Sequence, residues 1–161
     1  MDYAVEDMVV VPGCGVGRVE AVENMELEGE AVELYRIDLG DTKGRMWVPT
    51  HLVNAQGLRP VMTIERAKEA WTVIEAQAAP DERQNWNRRQ RRYNEKLLSN
   101  EPIEMAELLG ELAAVRNKKE LSFGERKIFE KVRELLICEI AAAMAQPRPK
   151  IEQRMSKALA A

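Results

Sequence analysis

Residues Asn85-Trp86-Asn87-Arg88-Arg89-Gln90-Arg91-Arg92-Tyr93 set one indole at the head of a run of guanidinium groups. Positions 83 to 96 hold six basic side chains (Arg83, Arg88, Arg89, Arg91, Arg92 and Lys96) against a single acid, Glu95. Arginines at this density can neutralise phosphates, and an adjacent Trp can stack on a base or wedge between two of them. The plainer alternative is a solvated basic face whose Trp caps the local core, since charge runs are commonly solvated and Trp is commonly packed.

Other residues with chemical potential offer less. Gly13-Cys14-Gly15-Val16-Gly17 has the look of a phosphate loop. A dinucleotide fingerprint would place its third Gly where Arg18 stands and would open a helix, whereas a strand pattern follows. Tight turns with positive φ are the expected reason for these glycines. His51 is the only histidine, and no Ser or Cys is paired with it by a recognisable motif. A nucleophile, base and orienting acid held together are not visible, so no catalytic residue is expected. Cys14 and Cys138 make no CxxC spacing. Neither a structural disulfide nor a zinc site is expected, and no cofactor, and free thiols suit a reducing cytosol.

The charge is divided along the chain. Residues 1–60 carry five basic and eleven acidic side chains, a net −6, and the remainder carries 19 basic and 16 acidic, a net +3. A nucleic acid would repel the first part and attract the second, so two different partners are expected. At 161 residues, with 32% charged side chains, the chain has room for one ordinary domain or two small ones. No apolar run approaches the roughly 20 residues of a membrane span. The start, Met1-Asp2-Tyr3-Ala4-Val5-Glu6-Asp7, lacks the basic and apolar regions of a signal peptide. A monomeric, cytoplasmic protein without a membrane partner is the expectation.

The elements that must position these residues change period near position 60. Before it, Val9-Val10-Val11 ends at Pro12-Gly13, Val16, Val19 and Val22 follow, and residues 32–39 alternate, with Tyr35, Ile37 and Leu39 on one face and Arg36 and Asp38 on the other. Arg45-Met46-Trp47-Val48 alternates again and is closed by Pro49. About five short strands predict an SH3-like or Tudor-like barrel over residues 1–60. Trp47 alternates with Met46 and Val48, which leaves either face outward: barrel packing, or an edge strand offered to a partner.

After it, helical spacing takes over for residues 61–161. Ile64, Ala67, Trp71, Ile74 and Ala78 make one apolar stripe. Ala79-Pro80-Asp81 ends that helix and begins the one carrying Trp86. Asn100-Glu101-Pro102 opens a third, burying Met105, Leu108, Leu109 and Leu112. Ser122-Phe123-Gly124-Glu125 is a capping box whose helix should run to about Ala145, before Pro147 and Pro149. Ile151, Met155 and Leu159 suggest a last short helix. The fold class is α+β, a small β-barrel followed by an all-α part of about five helices.

Taken in order, Val11-Pro12-Gly13-Cys14-Gly15-Val16-Gly17, Trp47-Val48-Pro49, Gly57-Leu58-Arg59, Asn85-Trp86-Asn87-Arg88-Arg89 and Leu121-Ser122-Phe123-Gly124-Glu125-Arg126-Lys127 resemble the CarD/CdnL family of bacterial RNA polymerase-binding transcription regulators. The resemblance covers nearly the whole chain. It implies an N-terminal Tudor-like domain that docks on the polymerase β subunit, related to the docking module of transcription-repair coupling factors. It also implies a helical domain that touches promoter DNA, minor groove and phosphates, at the upstream edge of the melted region formed with the housekeeping sigma factor, which would associate the protein with the nucleoid. The wedge tryptophan of that family falls on Trp86, with Arg88, Arg89 and Arg91 in the basic run beside it. Arg126 and Lys127 match a second basic position. The docking positions fall on Met25, Met46, Trp47 and Pro49. Some members carry basic residues where this chain has Met25 and Trp47, which implies a more apolar docking face, and Gln90 replaces a common tyrosine. The rivals from other classes are an RNA- or ribosome-binding SH3-like protein and a pure protein adaptor.

Overall fold

The computed structural model describes residues 2–40, 42–80 and 85–160. The chain divides into two compact units, Met1–Val61 and Met62–Ala161.

The first unit is an antiparallel sheet of five strands: β1 (Met8–Val11), β2 (Gly15–Leu27), β3 (Glu30–Asp38), β4 (Arg45–Pro49) and β5 (Arg59–Pro60). Their order is β4-β3-β2-β1-β5, so β4 and β5 are the edges. Glu28 and Gly29 both take positive φ and close the β2–β3 hairpin in two residues, the backbone that matches the twist of paired strands. Alternation then sorts the side chains. Val9, Val11, Val19, Tyr35, Ile37 and Val48 form the core with Tyr3, Val53 and Leu58. The glycines of the first turn serve two purposes. Gly13 and Gly15 have positive φ, whereas Gly17 is needed for space: a Cβ there would lie 2.4 Å from Ile37 Cγ2. Close packing, not turn geometry, explains the third glycine.

Pairing between β2 and β3 slips at one point, from Val19 opposite Ile37 to Ala21 opposite Arg36. Glu20 is the extra residue of this bulge, and bulges re-aim a side chain. Its carboxylate accepts from Arg36 Nε at 3.0 Å and from Arg45 Nε at 2.8 Å.

The second unit contains five helices among the described residues: α1 (Ile64–Ala76), α2 (Trp86–Leu98), α3 (Pro102–Arg116), α4 (Phe123–Met144) and α5 (Arg148–Leu159). Each start has a local cause. Thr63, Asn85 and Ser122 accept from the N–H three residues on, and Pro102 occupies a first-turn position where its missing N–H costs nothing. The capping box is complete, with Ser122 N donating to Glu125 Oε1 at 3.0 Å and Glu125 N to Ser122 Oγ at 3.2 Å. α3 is the central helix, burying ten of its 15 residues. Met105, Leu108, Leu109 and Leu112 pack with Trp71, Ile74, Tyr93, Leu136, Ile140, Ile151 and Met155. The buried Glu139 carboxylate accepts from Met62 N at 2.9 Å and fixes the start of this unit.

Two sequence expectations shift. Ile64 is exposed, and Ala70 joins Ala67, Trp71 and Ile74 in the buried stripe of α1. The helix ends at Ala76 because Gln77 turns left-handed, so Ala78 lies beyond it, exposed. The helix that carries the arginine run spans Trp86–Leu98, and Asp81 and Arg83, where the sequence placed its approach, lie outside the described residues.

Candidate nucleic-acid interface and docking face

On α2 the four arginines divide by helical phase. Tyr93 is the only fully buried residue of this helix. Trp86, Arg89 and Tyr93 are spaced three and four apart and share its face, which puts Arg88 and Arg91 on another. Arg92 turns inward beside Tyr93: its Nη2 donates to both carboxylate oxygens of Glu111 on α3 at 2.8 Å. Burial, together with that carboxylate, pushes the Tyr93 hydroxyl well above the usual tyrosine range. Arg88 and Arg91 are exposed and make no ion pair among the described residues. They are the two exposed arginines of α2.

Trp86 is the first residue of α2 and is 36% exposed, neither a core residue nor a free one. Two contacts hold its ring. The Arg89 guanidinium carbon stands 5.8 Å from the ring centroid. On the other helix, the indole approaches Gly124 so closely that a Cβ there would meet Cζ2 at 3.5 Å. Arg89 is half-buried with its buried Nε unmatched. It is less exposed than Arg88 and Arg91, and its guanidinium lies beside the Trp86 ring. Arg89 also borders a hollow of about 410 Å³, with Lys118 and Lys119 among its described lining residues.

The first turn of α4 adds to this place. Arg126 and Lys127 are both exposed, and Arg126 pairs loosely with the exposed Glu120 at 3.3 Å. Phe123, at the first helical position, is 73% exposed, with Lys127 Nζ 5.0 Å from its ring centroid. The charge pattern did not single out Phe123 or Gly124. Their signal was the Phe-Gly pair inside the capping box, a large apolar residue where the helix has not yet turned to the core.

In the sheet unit, cross-strand pairing decides which of the candidate docking residues share a face. Met25 is opposite Val32, Leu34 opposite Pro49, and Arg36 opposite Trp47. Paired residues in an antiparallel ladder point the same way, so Met25, Leu34, Trp47 and Pro49 lie on one face. Leu34 is buried within it, Met25 is 44% exposed and Trp47 47% exposed. Met46 is opposite Ile37 and packs half-buried against the core. Of the two faces left open for β4, Trp47 takes the outer one and Met46 the inner one. Trp47 Nε1 donates to Glu23 Oε2 at 3.1 Å, and Arg36 bonds the other oxygen of the same carboxylate. The hydrogen bond from Arg45, reinforced by Arg36 and opposed by desolvation, lowers Glu20 below the ordinary carboxylate range. The face is thus an apolar patch framed by a neutralised charge network, at a sheet edge.

Among the described residues, no group of three or more His, Cys, Asp or Glu is arranged to hold a metal ion. No disulfide joins Cys14 to Cys138. No described helix is long and apolar enough to cross a membrane.

Comparison with known proteins agrees with this division. Residues 3–62 match the family model for the CarD-like/TRCF RID domain, and residues 69–156 match that for the CarD C-terminal domain. A protein of Bacillus subtilis (strain 168) named "Putative transcription factor YdeB" is 26% identical over 138 residues, 86% of this chain and 90% of that protein. A Tudor-like sheet unit is followed by the helical unit that bears Trp86, and both carry matches of the same kind in the same order: the chain belongs to the CarD family.

Proposed function

We propose that the chain is a transcription regulator that docks on the RNA polymerase β subunit through Met25, Trp47 and Pro49 and stabilises the open promoter complex through Trp86. Arg88, Arg91, Arg126 and Lys127 supply the phosphate contacts. The observation that carries the reading is the state of Trp86, its ring against Gly124 and 36% exposed, beside two exposed guanidinium groups that have no ion-pair partner among the described residues.

A ring inserted at a base step costs a few kcal/mol of unstacking, least where the duplex is already opening. A Trp held ready at such a junction binds the melted state better than the closed one, and that difference in affinity is what shifts the equilibrium. Recruitment through the sheet unit raises the local concentration of the helical unit, so base-specific readout is not needed. The acidic character of the sheet unit is compatible with a protein partner and unfavourable for DNA.

The test is Trp86→Ala in promoter complexes reconstituted with the housekeeping holoenzyme. The expected loss is roughly 1–3 kcal/mol of open-complex stabilisation, the scale of one base–aromatic contact, with polymerase binding intact. An unchanged complex lifetime in a well-folded variant would sink the wedge.

A further inference from the structure

We infer that Phe123 is a second base-stacking residue, set beside Trp86 to receive an unpaired nucleotide at the edge of the melted DNA. The inference rests on the proposed reading that the helical unit meets opening promoter DNA.

Exposure is not the argument by itself, since Leu98 is 80% exposed and Phe123 73%. What distinguishes Phe123 is its setting. The capping box locks the first turn of α4 with two reciprocal hydrogen bonds, so the ring is displayed from a fixed backbone. Lys127, one turn on, stands over the ring at 5.0 Å, and Arg126 is its exposed neighbour. The next residue, Gly124, is the one against which the Trp86 indole rests. The starts of two helices thus each carry an exposed aromatic ring, the Trp86 indole lying against the residue that follows Phe123, with cations on both helices.

A flat π surface rimmed by Lys and Arg fits a nucleobase with its attached phosphate, because every base has a stackable face and every nucleotide a charge. An apolar helix or strand would want a continuous groove without a cationic rim. The pairing with Trp86 also has a physical logic. A wedge that parts a base step leaves one base without its stacking neighbour, and Phe123 offers a replacement within reach of the same site. The unstacking cost is offset where it arises.

The test uses the full chain in a promoter–polymerase complex that carries 2-aminopurine at unpaired positions along the upstream edge of the bubble. Wild-type protein should quench one of these positions on binding. Phe123→Ala should lose that quenching and shorten the complex lifetime by about five- to tenfold, the lower part of the range for one stacked base, with unchanged thermal unfolding. Phe123→Tyr should restore both, and Phe123→Leu neither. Wild-type quenching and lifetime in Phe123→Ala, with Trp86→Ala defective, would overturn the inference and leave the wedge standing. If both variants behave as wild type, the DNA reading itself fails. If Phe123→Ala instead weakens binding to polymerase without promoter DNA, the ring is a protein contact and the inference is wrong.

Discussion

The Trp86 indole rests on Gly124, at a distance where an added Cβ would touch Cζ2 at 3.5 Å and Cη2 at 3.9 Å. The glycine is helical and does not need positive φ, so its value lies in what it leaves room for. Gly124→Ala should be accepted at ordinary contact distance and should stabilise the fold by about 0.4–1 kcal/mol through the unfolded chain. Open-complex lifetime should stay near wild type. Gly124→Leu should fold but push the indole off its seat. The check is Trp fluorescence and complex half-life, and a normal half-life in Gly124→Leu would mean that this contact does not set the functional orientation.

Met46 and Trp47 are neighbours in β4 with opposite roles. Trp47→Ala should leave thermal unfolding nearly unchanged and weaken binding to the β subunit by about thirtyfold, the loss of one interfacial anchor worth about 2 kcal/mol. Met46→Ala should do the reverse, costing about 1–2 kcal/mol of stability, below the range for a fully buried methionine because Met46 is only half-buried. Its affinity should be unaltered. Equal effects of the two substitutions on β binding would show that the face was assigned wrongly.

Burial raises the Tyr93 hydroxyl above its ordinary value of 10.0, and raises Tyr3 in the sheet unit as well. The sign follows from linkage. The folded protein keeps these protons to higher pH than the unfolded chain, so the contribution is complete below about pH 10 and is lost as pH rises through the folded value. Alkali should therefore unfold the protein progressively above pH 10. Tyr93→Phe should move the alkaline midpoint upward while changing stability at pH 7 little. An identical midpoint in Tyr93→Phe would show that Tyr93 is not the group responsible.

The sequence made period, caps and composition readable, because each is a local signal. The capping box at Ser122 and Glu125, the end of α4 at Met144, and the buried stripe Ile151, Met155 and Leu159 all follow from spacing alone. Three features did not follow, each because it depends on a partner distant in sequence. The bulge at Glu20 exists only in the pairing of β2 with β3, and it decides which arginines that carboxylate meets. Gly17 reads as a turn residue until Ile37 is placed against it. In the arginine run, sequence shows six cations, but only Glu111, supplied by α3, reveals that Arg92 points inward.

That division of the arginines gives the most direct electrostatic test. Arg88 and Arg91 are exposed and have no ion pair among the described residues, whereas the Arg92 side chain is 30% exposed and bound to Glu111. Counterion release ties the slope of log affinity against log salt to the number of phosphates neutralised, about 0.9 per contact on duplex DNA and about 0.7 on a single strand. Arg88→Ala with Arg91→Ala should therefore reduce the slope by about 1.4–1.8 for two contacts, without lowering the unfolding temperature. Arg92→Ala should leave the slope alone and cost about 1–3 kcal/mol of stability, because the Glu111 carboxylate would remain largely buried without its donor. The measurement is affinity of the factor for the promoter–polymerase complex across a salt series, with thermal unfolding in parallel. An unchanged slope in the double variant would return Arg88 and Arg91 to a solvated face, and a reduced slope in Arg92→Ala would mean that the inward arginine swings out to reach phosphate.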